Sequence, residues 1–418
     1  METHLADFIR NTQAGREADE ILRKCVHCGF CSATCPTYQL FGDELDGPRG
    51  RIYLIKQMLE GAEATAKTQL HLDRCLNCRS CETTCPSGVH YARLLDIGRN
   101  VLEQRVPRGA VESLLRGTLR QLLPRRWLFG PAYRLGQWLR PLLPEMLKAK
   151  LLPYRAPGPR PLTRTQHVRS VIALAGCVQP AMAPGINAAT ARVLNRLGIR
   201  MIEAARAGCC GALPLHLGAE EAARRDARRN IDAWWPLLEA GAESILFTAS
   251  GCGTQLRDYA HLLQDDPAYA VKAARVSLLS RDVSEVIAAE QEHLLTLLAG
   301  TPATATAHKL AFHSPCSLQH GLQIRGTVET LLSAAGFVLT PVADSHLCCG
   351  SAGAYSVLQP KIGTLLRDHK LAALCADQPA AIATANIGCL AHLQSGTALP
   401  VRHWIEYLDA RLAVPVAG

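Results

Sequence analysis

The sequence predicts an α+β multidomain fold, in which a mostly helical, cysteine-rich domain is followed by two duplicated small α/β units. Two observations support this prediction. The first is a pair of four-cysteine runs at residues 25–36 and 75–86, separated by sequence with helical periodicity. The second is a group of four cysteines that recurs at a nearly constant offset among alternating strand-like and helical stretches.

Both runs place their cysteines at C-x2-C-x2-C-x3-C and end in proline. This is the ligand spacing of bacterial two-cluster ferredoxins, in which the fourth cysteine of each run binds the other cluster. The spacing therefore predicts two [4Fe-4S] clusters in a ferredoxin-type domain over residues 1–100. The predicted ligands are Cys25, Cys28, Cys31 and Cys85 for the first cluster, and Cys75, Cys78, Cys81 and Cys35 for the second. A pair of structural zinc sites is the alternative, since these also use C-x2-C.

Helical sequence surrounds the two runs. Residues 1–24 are polar with a few apolar docking positions, and residues 51–61 carry apolar side chains at helical spacing and end in glycine. A helix between the runs indicates the elongated helical ferredoxin of respiratory iron-sulfur subunits rather than the compact type.

The composition favours metal-binding thiols over disulfides. The chain has 418 residues and 17 cysteines, and its first residues lack the apolar segment of a signal peptide. The sequence contains no uninterrupted run of about 20 apolar residues, so no membrane-spanning helix is predicted. We therefore expect a cytoplasmic protein whose thiols are reduced and ligate metal.

The positive charge is concentrated between the cysteine runs and the duplicated half. Residues 101–170 hold 14 Lys and Arg against three acidic residues, within a chain of net charge +9. This segment also contains tryptophans and many prolines, so residues 101–165 are predicted to form a basic, Pro-rich helical connector. Its basic and aromatic pieces could contact a membrane surface, or could pack as a simple linker. We expect no nucleic-acid binding, because no motif for it accompanies the basic residues.

The second half contains an internal repeat. Its four pairs of equivalent cysteines have offsets of 139, 139, 139 and 137 residues, and they are Cys177/Cys316, Cys209/Cys348, Cys210/Cys349 and Cys252/Cys389. The predicted units span residues 166–270 and 306–418, with a helical linker at 271–305. Since two cysteines of each unit follow predicted strands, all four should meet at the carboxyl ends of a parallel sheet.

The Cys-Cys-Gly triplets resemble the CCG-type cysteine-rich domain of heterodisulfide reductase and related iron-sulfur subunits. The resemblance implies that each unit can hold a further iron-sulfur cluster. The second unit, with Cys316, Cys348, Cys349 and Cys389, is the favoured site, because His313 and His346 lie near it in the sequence; Cys177, Cys209, Cys210 and Cys252 form the other. The family's final C-x2-C is incomplete here. Gln255 and His392 occupy its last position, and His392 is either a replacement ligand or a core histidine.

The order of domains over the whole length is similar to the iron-sulfur subunits of glycolate oxidase (glycolate dehydrogenase). That resemblance implies an electron-transfer subunit with no catalytic residues of its own, working with FAD-binding subunits that oxidise glycolate to glyoxylate, or D-lactate to pyruvate. FAD is then expected only on the partners, and electrons leave for quinone or another respiratory acceptor at the cytoplasmic face of the inner membrane. No dinucleotide fingerprint in this chain offers an alternative source of electrons.

Four alternatives remain from the sequence. Iron-sulfur subunits of anaerobic glycerol-3-phosphate dehydrogenase and of lactate dehydrogenases share the same motifs. A heterodisulfide-reductase-like subunit is the third, and the missing fifth cysteines disfavour it. A zinc-stabilised scaffold without a redox role is the fourth.

Overall fold

The fold is seen in a computed structural model that describes residues 1–144, 148, 151–159, 167–300 and 309–413. Within these ranges, an amino-terminal helical domain and two connecting helices precede two four-stranded parallel sheets. The α+β multidomain class predicted from the sequence is confirmed. Parts of the predicted connector (145–147, 149–150 and 160–165) and the first position of the first unit (166) lie outside the described residues. So do residues 301–308, at the junction of the predicted linker and second unit, and residues 414–418 at the end of that unit.

The amino-terminal domain is built from short helices joined by the two cysteine runs, and no strand occurs within residues 1–144. Its longest helices pack through an apolar core that includes Leu22, Ile55 and Leu94, all fully buried. The helices of this domain span Asp7–Arg10, Gln13–Lys24, Pro36–Phe41, Pro48–Leu59, Ala66–Asp73, Ser80–Thr84 and Tyr91–Arg105.

Two connector helices follow, at Ala110–Leu122 and Arg126–Leu139. Two of the connector's arginines are not part of a basic surface. Arg108 and Arg116 are nearly buried and pair with Asp73 at 2.6 and 3.1 Å, and they share further carboxylates nearby. The network fastens the first connector helix to the amino-terminal domain. Among the described residues, no helix combines the length and apolar character needed to cross a bilayer.

The duplicated half forms two sheets with identical topology. The first contains β1 (Arg169–Ala173), β2 (Ile199–Glu203), β3 (Ile245–Phe247) and β4 (Ser280–Asp282), in the order β2-β1-β3-β4. The second contains β5 (Lys309–His313), β6 (Val338–Leu339), β7 (Ala381–Thr384) and β8 (Val401–His403), in the order β6-β5-β7-β8. All pairings are parallel.

Helices cover both sheets. Those of the first unit are Gln179–Met182, Gly185–Arg196, Ala212–His216, Glu220–Glu239, Ser250–Arg257, Tyr259–Leu262, Ala270–Leu279, Val283–Ala289 and Gln291–Ala299. Those of the second are Thr327–Ala334, Tyr355–Leu358, Pro360–Cys375, Ile387–Gln394 and Trp404–Leu412, with a π-helical turn at Ser317–Gly321. The segment 271–305, predicted as a helical linker, also contains the three-residue strand β4. Because β4 pairs with β3, the described part of this segment belongs to the first sheet.

The two sheets are not independent bodies. One continuous apolar core contains residues of both, including Val171 and Leu310. Backbone and side-chain bonds cross between them: His403 Nε2 lies 2.8 Å from the carbonyl oxygen of Thr248, and the hydroxyls of Ser250 and Ser317 are 2.8 Å apart. The duplicated units therefore form one packed scaffold on which the amino-terminal domain rests.

Candidate metal centres

Both cysteine runs adopt the same turns. His27 and Gly29 in the first run have positive φ values of 56° and 86°, and their counterparts Asn77 and Arg79 have 51° and 59°. Left-handed residues reverse the chain sharply, so that thiols two residues apart can face the same point. Glycine occupies only one of the four positions, and the strain at the others is the kind that functional loops retain.

The structure brings the four predicted ligands of the first cluster to one cavity. Its lining includes Cys25, Cys28, Cys31 and Cys85, together with Cys81 of the second run. Cys28 is exposed, and the neighbouring Val26 and Phe30 expose 67% and 61% of their surface. This site therefore opens at the surface of the protein.

The four predicted ligands of the second cluster line a second cavity, which shares Pro48, Cys81 and Tyr91 with the first. These ligands are Cys35, Cys75, Cys78 and Cys81. The phenol of Tyr91 points at Cys75 with Oη 3.6 Å from Sγ, and the backbone N–H of Asn77 donates to the same sulfur at 3.4 Å. Hydrogen bonds of this kind stabilise thiolate charge and tune the potential of an iron-sulfur site.

A buried cation that the sequence did not reveal lines the second cavity. Arg51 is 1% exposed and donates to the carbonyl oxygen of His71 at 2.8 Å and to Thr37 at 3.1 Å. Burial by itself lowers its pKa, but the Cys75 and Cys35 thiolates outweigh it and raise the pKa of the guanidinium. Arg51 and Arg74 share the carboxylate of Asp46, at 3.5 and 2.6 Å, and the shorter contact compensates mainly the charge of Arg74.

The donor set of both cavities suits an iron-sulfur cluster. The described residues include all 17 cysteines, and every one is a free thiol. Burial raises the pKa of Cys31 to about 11 and raises the pKa of Cys78 and Cys81 well above the ordinary value. Buried thiols with raised pKa values are stable as protonated groups or as metal ligands, and metal binding releases their protons. Cys81 lines both cavities, so the eight thiols give each site the four ligands of one cubane when Cys81 is counted with the second.

In the duplicated half, the four cysteines of each unit also converge. In the first unit, the Cys209 thiol lies against those of Cys177 and Cys210, whose hydrogen bonds lower the pKa of Cys209, and Cys210 in turn contacts Cys252. In the second, Cys316 Sγ is 3.7 Å from Cys348 Sγ, and Cys349 contacts Cys389. Each group lies beyond the carboxyl ends of two central strands, where the strand order reverses and ligands commonly bind.

The glycine of each triplet is required by its backbone. Gly211 and Gly350 have φ values of +89° and +85°. Their N–H groups donate to Cys209 Sγ and Cys348 Sγ at 3.5 and 3.4 Å. A Cβ on Gly350 would come within 2.6 Å of the carbonyl oxygen of Gly363. The tight turn therefore aims both cysteines of the pair into the site.

The histidines near the second group make different contacts, and His392 occupies the core position that was one of its two alternatives. His392 is buried, and its Nε2 lies 3.0 Å from the carbonyl oxygen of Gly363. This nitrogen therefore makes its contact within the protein core. His346 contributes its backbone carbonyl to His320. His313, at the end of β5, is the histidine whose ring nitrogen lies within 4.8 Å of the sulfurs of Cys349 and Cys389.

The second cavity of the amino-terminal domain lies next to the second cysteine-rich unit. Leu76 and Cys78 pack in one apolar cluster with Cys316 and Cys348. Thr83 Oγ1 is 2.8 Å from His320 Nδ1, and Tyr355 Oη donates to the carbonyl oxygen of Arg74 at 2.9 Å. The chain therefore presents a surface-open thiol site, then a buried one, then the thiols of the second unit.

Two known families match the regions of the chain that carry these cysteines. The model of the 4Fe-4S dicluster domain matches residues 21–89, and that of the CCG cysteine-rich domain matches residues 171–257 and 310–394. The prediction of iron-sulfur clusters is confirmed, and the zinc alternative for the amino-terminal runs loses its support.

Two curated relatives match nearly the whole chain, and a third matches part of it. It is 54% identical over 412 residues to the glycolate oxidase iron-sulfur subunit of Escherichia coli (strain K12), with 99% of both chains covered. It is 31% identical over 418 residues to the probable glycolate oxidase iron-sulfur subunit of Bacillus subtilis (strain 168), covering 93% of this chain and 92% of the relative. Lactate utilization protein A of Exiguobacterium sp. is 26% identical over 239 residues, 56% of this chain and 94% of that protein.

Proposed function

This chain belongs to the family of glycolate oxidase iron-sulfur subunits, and from that premise we propose that it relays electrons within a glycolate dehydrogenase complex. FAD-binding subunits of the complex would oxidise glycolate to glyoxylate, and the electrons would leave for quinone or another respiratory acceptor. The observation that carries this proposal is the spatial succession of two thiol sites. The first opens at the surface, and the second is buried against the second cysteine-rich unit.

We assign the first [4Fe-4S] cluster to Cys25, Cys28, Cys31 and Cys85, and the second to Cys75, Cys78, Cys81 and Cys35. When bound, such clusters supply reversible one-electron transfer. Around the second site, the Asn77 N–H and the Tyr91 hydroxyl contact the sulfur of Cys75, burial limits the access of water, and the positive charge of Arg51 lies beside the thiols. Val26 and Phe30 give the first site an apolar rim, and we propose that the FAD-binding subunits dock there.

Reduction of an artificial dye by the gently purified complex tests the substrate. We expect glycolate to support dye reduction, and we expect the Cys25→Ser variant of this subunit to lose most of it while the flavin subunits remain assembled. Glycerol 3-phosphate serves as the substrate control. Dye reduction with glycerol 3-phosphate and none with glycolate would overturn the proposal.

D-lactate is the second candidate substrate, because lactate utilization proteins are among the relatives. Their match covers only 56% of this chain, whereas the glycolate oxidase relatives match nearly all of it. We therefore expect a higher kcat/KM for glycolate than for D-lactate in the same assay.

The connector is the part of the chain that we propose to contact the membrane. The helix Arg126–Leu139 buries Phe129 and Tyr133 on one side and exposes Trp127 and Trp138 by 71% and 77%. Leu135 is also exposed by 56%, beside exposed Arg134. Exposed tryptophans with basic neighbours suit the interface of an anionic bilayer. This surface would hold the protein at the cytoplasmic face of the inner membrane.

Sedimentation of the protein with vesicles tests this contact. We expect binding to vesicles of phosphatidylglycerol and phosphatidylethanolamine, and little binding to pure phosphatidylcholine. The Trp127→Ser/Trp138→Ser double variant should lose the binding, whereas Trp235→Ser, outside the connector, should retain it. Equal binding by both variants would contradict the proposal.

A further inference from the structure

The second cysteine-rich unit contains a fifth side chain of ligand type beside its four thiols. His313 is the last residue of β5 and is 2% exposed. One of its ring nitrogens lies within 4.8 Å of the Sγ atoms of Cys349 and Cys389, and these three residues are all buried. Imidazole and thiolate are both ligands that iron accepts in proteins.

The hydrogen bonds of His313 leave one nitrogen available. Nδ1 lies 2.9 Å from Thr384 Oγ1 on the neighbouring strand β7. Nε2 has no hydrogen-bond partner among the described residues. A buried polar atom without a partner is costly, and in native proteins it usually marks a missing ion, water or ligand. A histidine that binds metal through one ring nitrogen normally has its other nitrogen hydrogen-bonded to a nearby polar group. The hydroxyl of Thr384 is such a group for Nδ1.

The first unit shows that the fold itself does not need this histidine. The residue equivalent to His313 at the 139-residue offset is Leu174, and the residue equivalent to Thr384 at the 137-residue offset is Phe247. Both are buried in the apolar core. The same strand pair is therefore completed by an apolar couple in the first unit and by a polar couple in the second.

The alternative ligand suggested by the sequence is less well placed. His392 follows Cys389 by three residues, but its Nε2 is engaged by the carbonyl oxygen of Gly363 at 3.0 Å. His313 reaches the thiols from the opposite strand, three residues before Cys316. Its proximity depends on the pairing of β5 with β7, which the cysteine spacing does not reveal.

We propose that His313 ligates iron through Nε2 in a cluster held by Cys316, Cys348, Cys349 and Cys389, with Thr384 fixing the ring from Nδ1. The inference rests on the proposed function, since it assumes that this unit holds an iron-sulfur cluster. Histidine ligation raises the potential of such clusters relative to thiolate alone. The second unit would then hold a more oxidising site than the first unit can.

Pulsed electron paramagnetic resonance of the full complex, labelled with ¹⁵N-histidine, tests the ligand directly. We expect a strongly coupled histidine nitrogen on one iron-sulfur signal, and iron in excess of the two amino-terminal clusters. His313→Leu, which reproduces the residue of the first unit, should abolish that coupling and shift the midpoint potential of the same signal downwards. Thr384→Val should keep the coupling but alter its magnitude.

Several outcomes would overturn the ligand assignment. They are an unchanged nitrogen coupling in His313→Leu, its loss in His392→Gln instead, and a wild-type complex with no iron beyond the amino-terminal clusters. If His313→Leu does not fold, His313→Gln provides the same comparison with a polar side chain. Glycolate-dependent dye reduction is measured on the same samples, so an active complex without the nitrogen signal would refute the ligand while leaving the proposed function intact.

Discussion

Arg79 donates a hydrogen bond to Asp258 over 2.6 Å, and this ion pair joins the second cysteine run to the first cysteine-rich unit. The two side chains are only 20% and 28% exposed. Arg79 and Arg74 lie in and beside the second cysteine run, where an uncompensated positive charge would raise the potential of a cluster. The structure instead compensates each of them with a carboxylate, so Arg79 acts mainly in docking the domains.

Replacing Asp258 by asparagine should weaken that docking. The partly buried guanidinium of Arg79 would lose its charged partner, which costs about 1–3 kcal/mol. We expect this decrease in the free energy of unfolding by chemical denaturation. Asp7→Asn is the control, because the Asp7–Arg10 pair is largely exposed and should change stability little. Equal effects of the two substitutions would contradict a docking role.

The fourth cysteine of each run should serve the other run's cluster. Cys85→Ser is expected to impair the cluster of the Cys25 run, and Cys35→Ser that of the Cys75 run, because each cysteine lines the opposite cavity. Redox titration followed by electron paramagnetic resonance measures which signal is lost. Cys375→Ser should leave both signals and the iron content unchanged. Loss of the same signal in Cys35→Ser and Cys85→Ser would exclude the crossed arrangement.

The charge of Arg51 should hold up the potential of the second cluster. Arg51→Gln removes a buried positive charge beside Cys35 and Cys75. Without this charge the oxidised cluster is favoured over the reduced one, so the potential falls. With an effective dielectric constant of about 20, the expected decrease in potential is about 50–100 mV. Arg51→Lys keeps the charge and should change the potential much less. Equal potentials in the two variants would show that the charge is not responsible.

Acid should weaken the contact between the two cysteine-rich units. Burial lowers the pKa of His403 from 6.5 to about 4. Between these pH values the imidazole of His403 is therefore protonated more readily in the unfolded chain than in the folded protein. The resulting stability is fully present above about pH 6.5 and is lost as the pH falls to about 4, a change of about 3 kcal/mol. His403→Gln should therefore show a shallower decrease in unfolding free energy over this range.

Asp282 titrates in the opposite sense, because burial raises its pKa to about 6. It is present in both wild type and His403→Gln, so the difference between the two proteins isolates His403. A difference that does not change between pH 7 and pH 4 would rule out this histidine as the sensor.

Gly350 should not tolerate a side chain. Gly350→Ala combines an unfavourable positive φ, worth about 1–2 kcal/mol, with a clash against the carbonyl oxygen of Gly363. Gly336→Ala has a similar φ of +89° but open space around its Cβ, and it should show only the conformational part. Thermal unfolding measures both. Equal losses would mean that the close approach at the Cys348–Cys349 turn is unimportant.

Short-range patterns were sufficient for the ligand loops and the repeat. Cysteines two residues apart can reach one cubane only through a local turn, so the grouping within a run follows from its spacing. The offset of 139 residues between Cys177 and Cys316 likewise predicts two similar units. Short strands were harder to predict, since β4 has three residues and β6 has two, and neither shows a periodic pattern.

By itself, the sequence determined that this protein holds iron-sulfur clusters and repeats a cysteine-rich unit, because those features depend on the spacing of thiols along one stretch of chain. The tertiary structure decided what lies between distant stretches. It placed Cys78 against Cys348, buried Arg51 in the lining of the second cavity, and brought His313 rather than His392 to the thiols. These contacts arise from strand pairing and domain packing, whose geometry is set by the whole core and not by neighbouring residues.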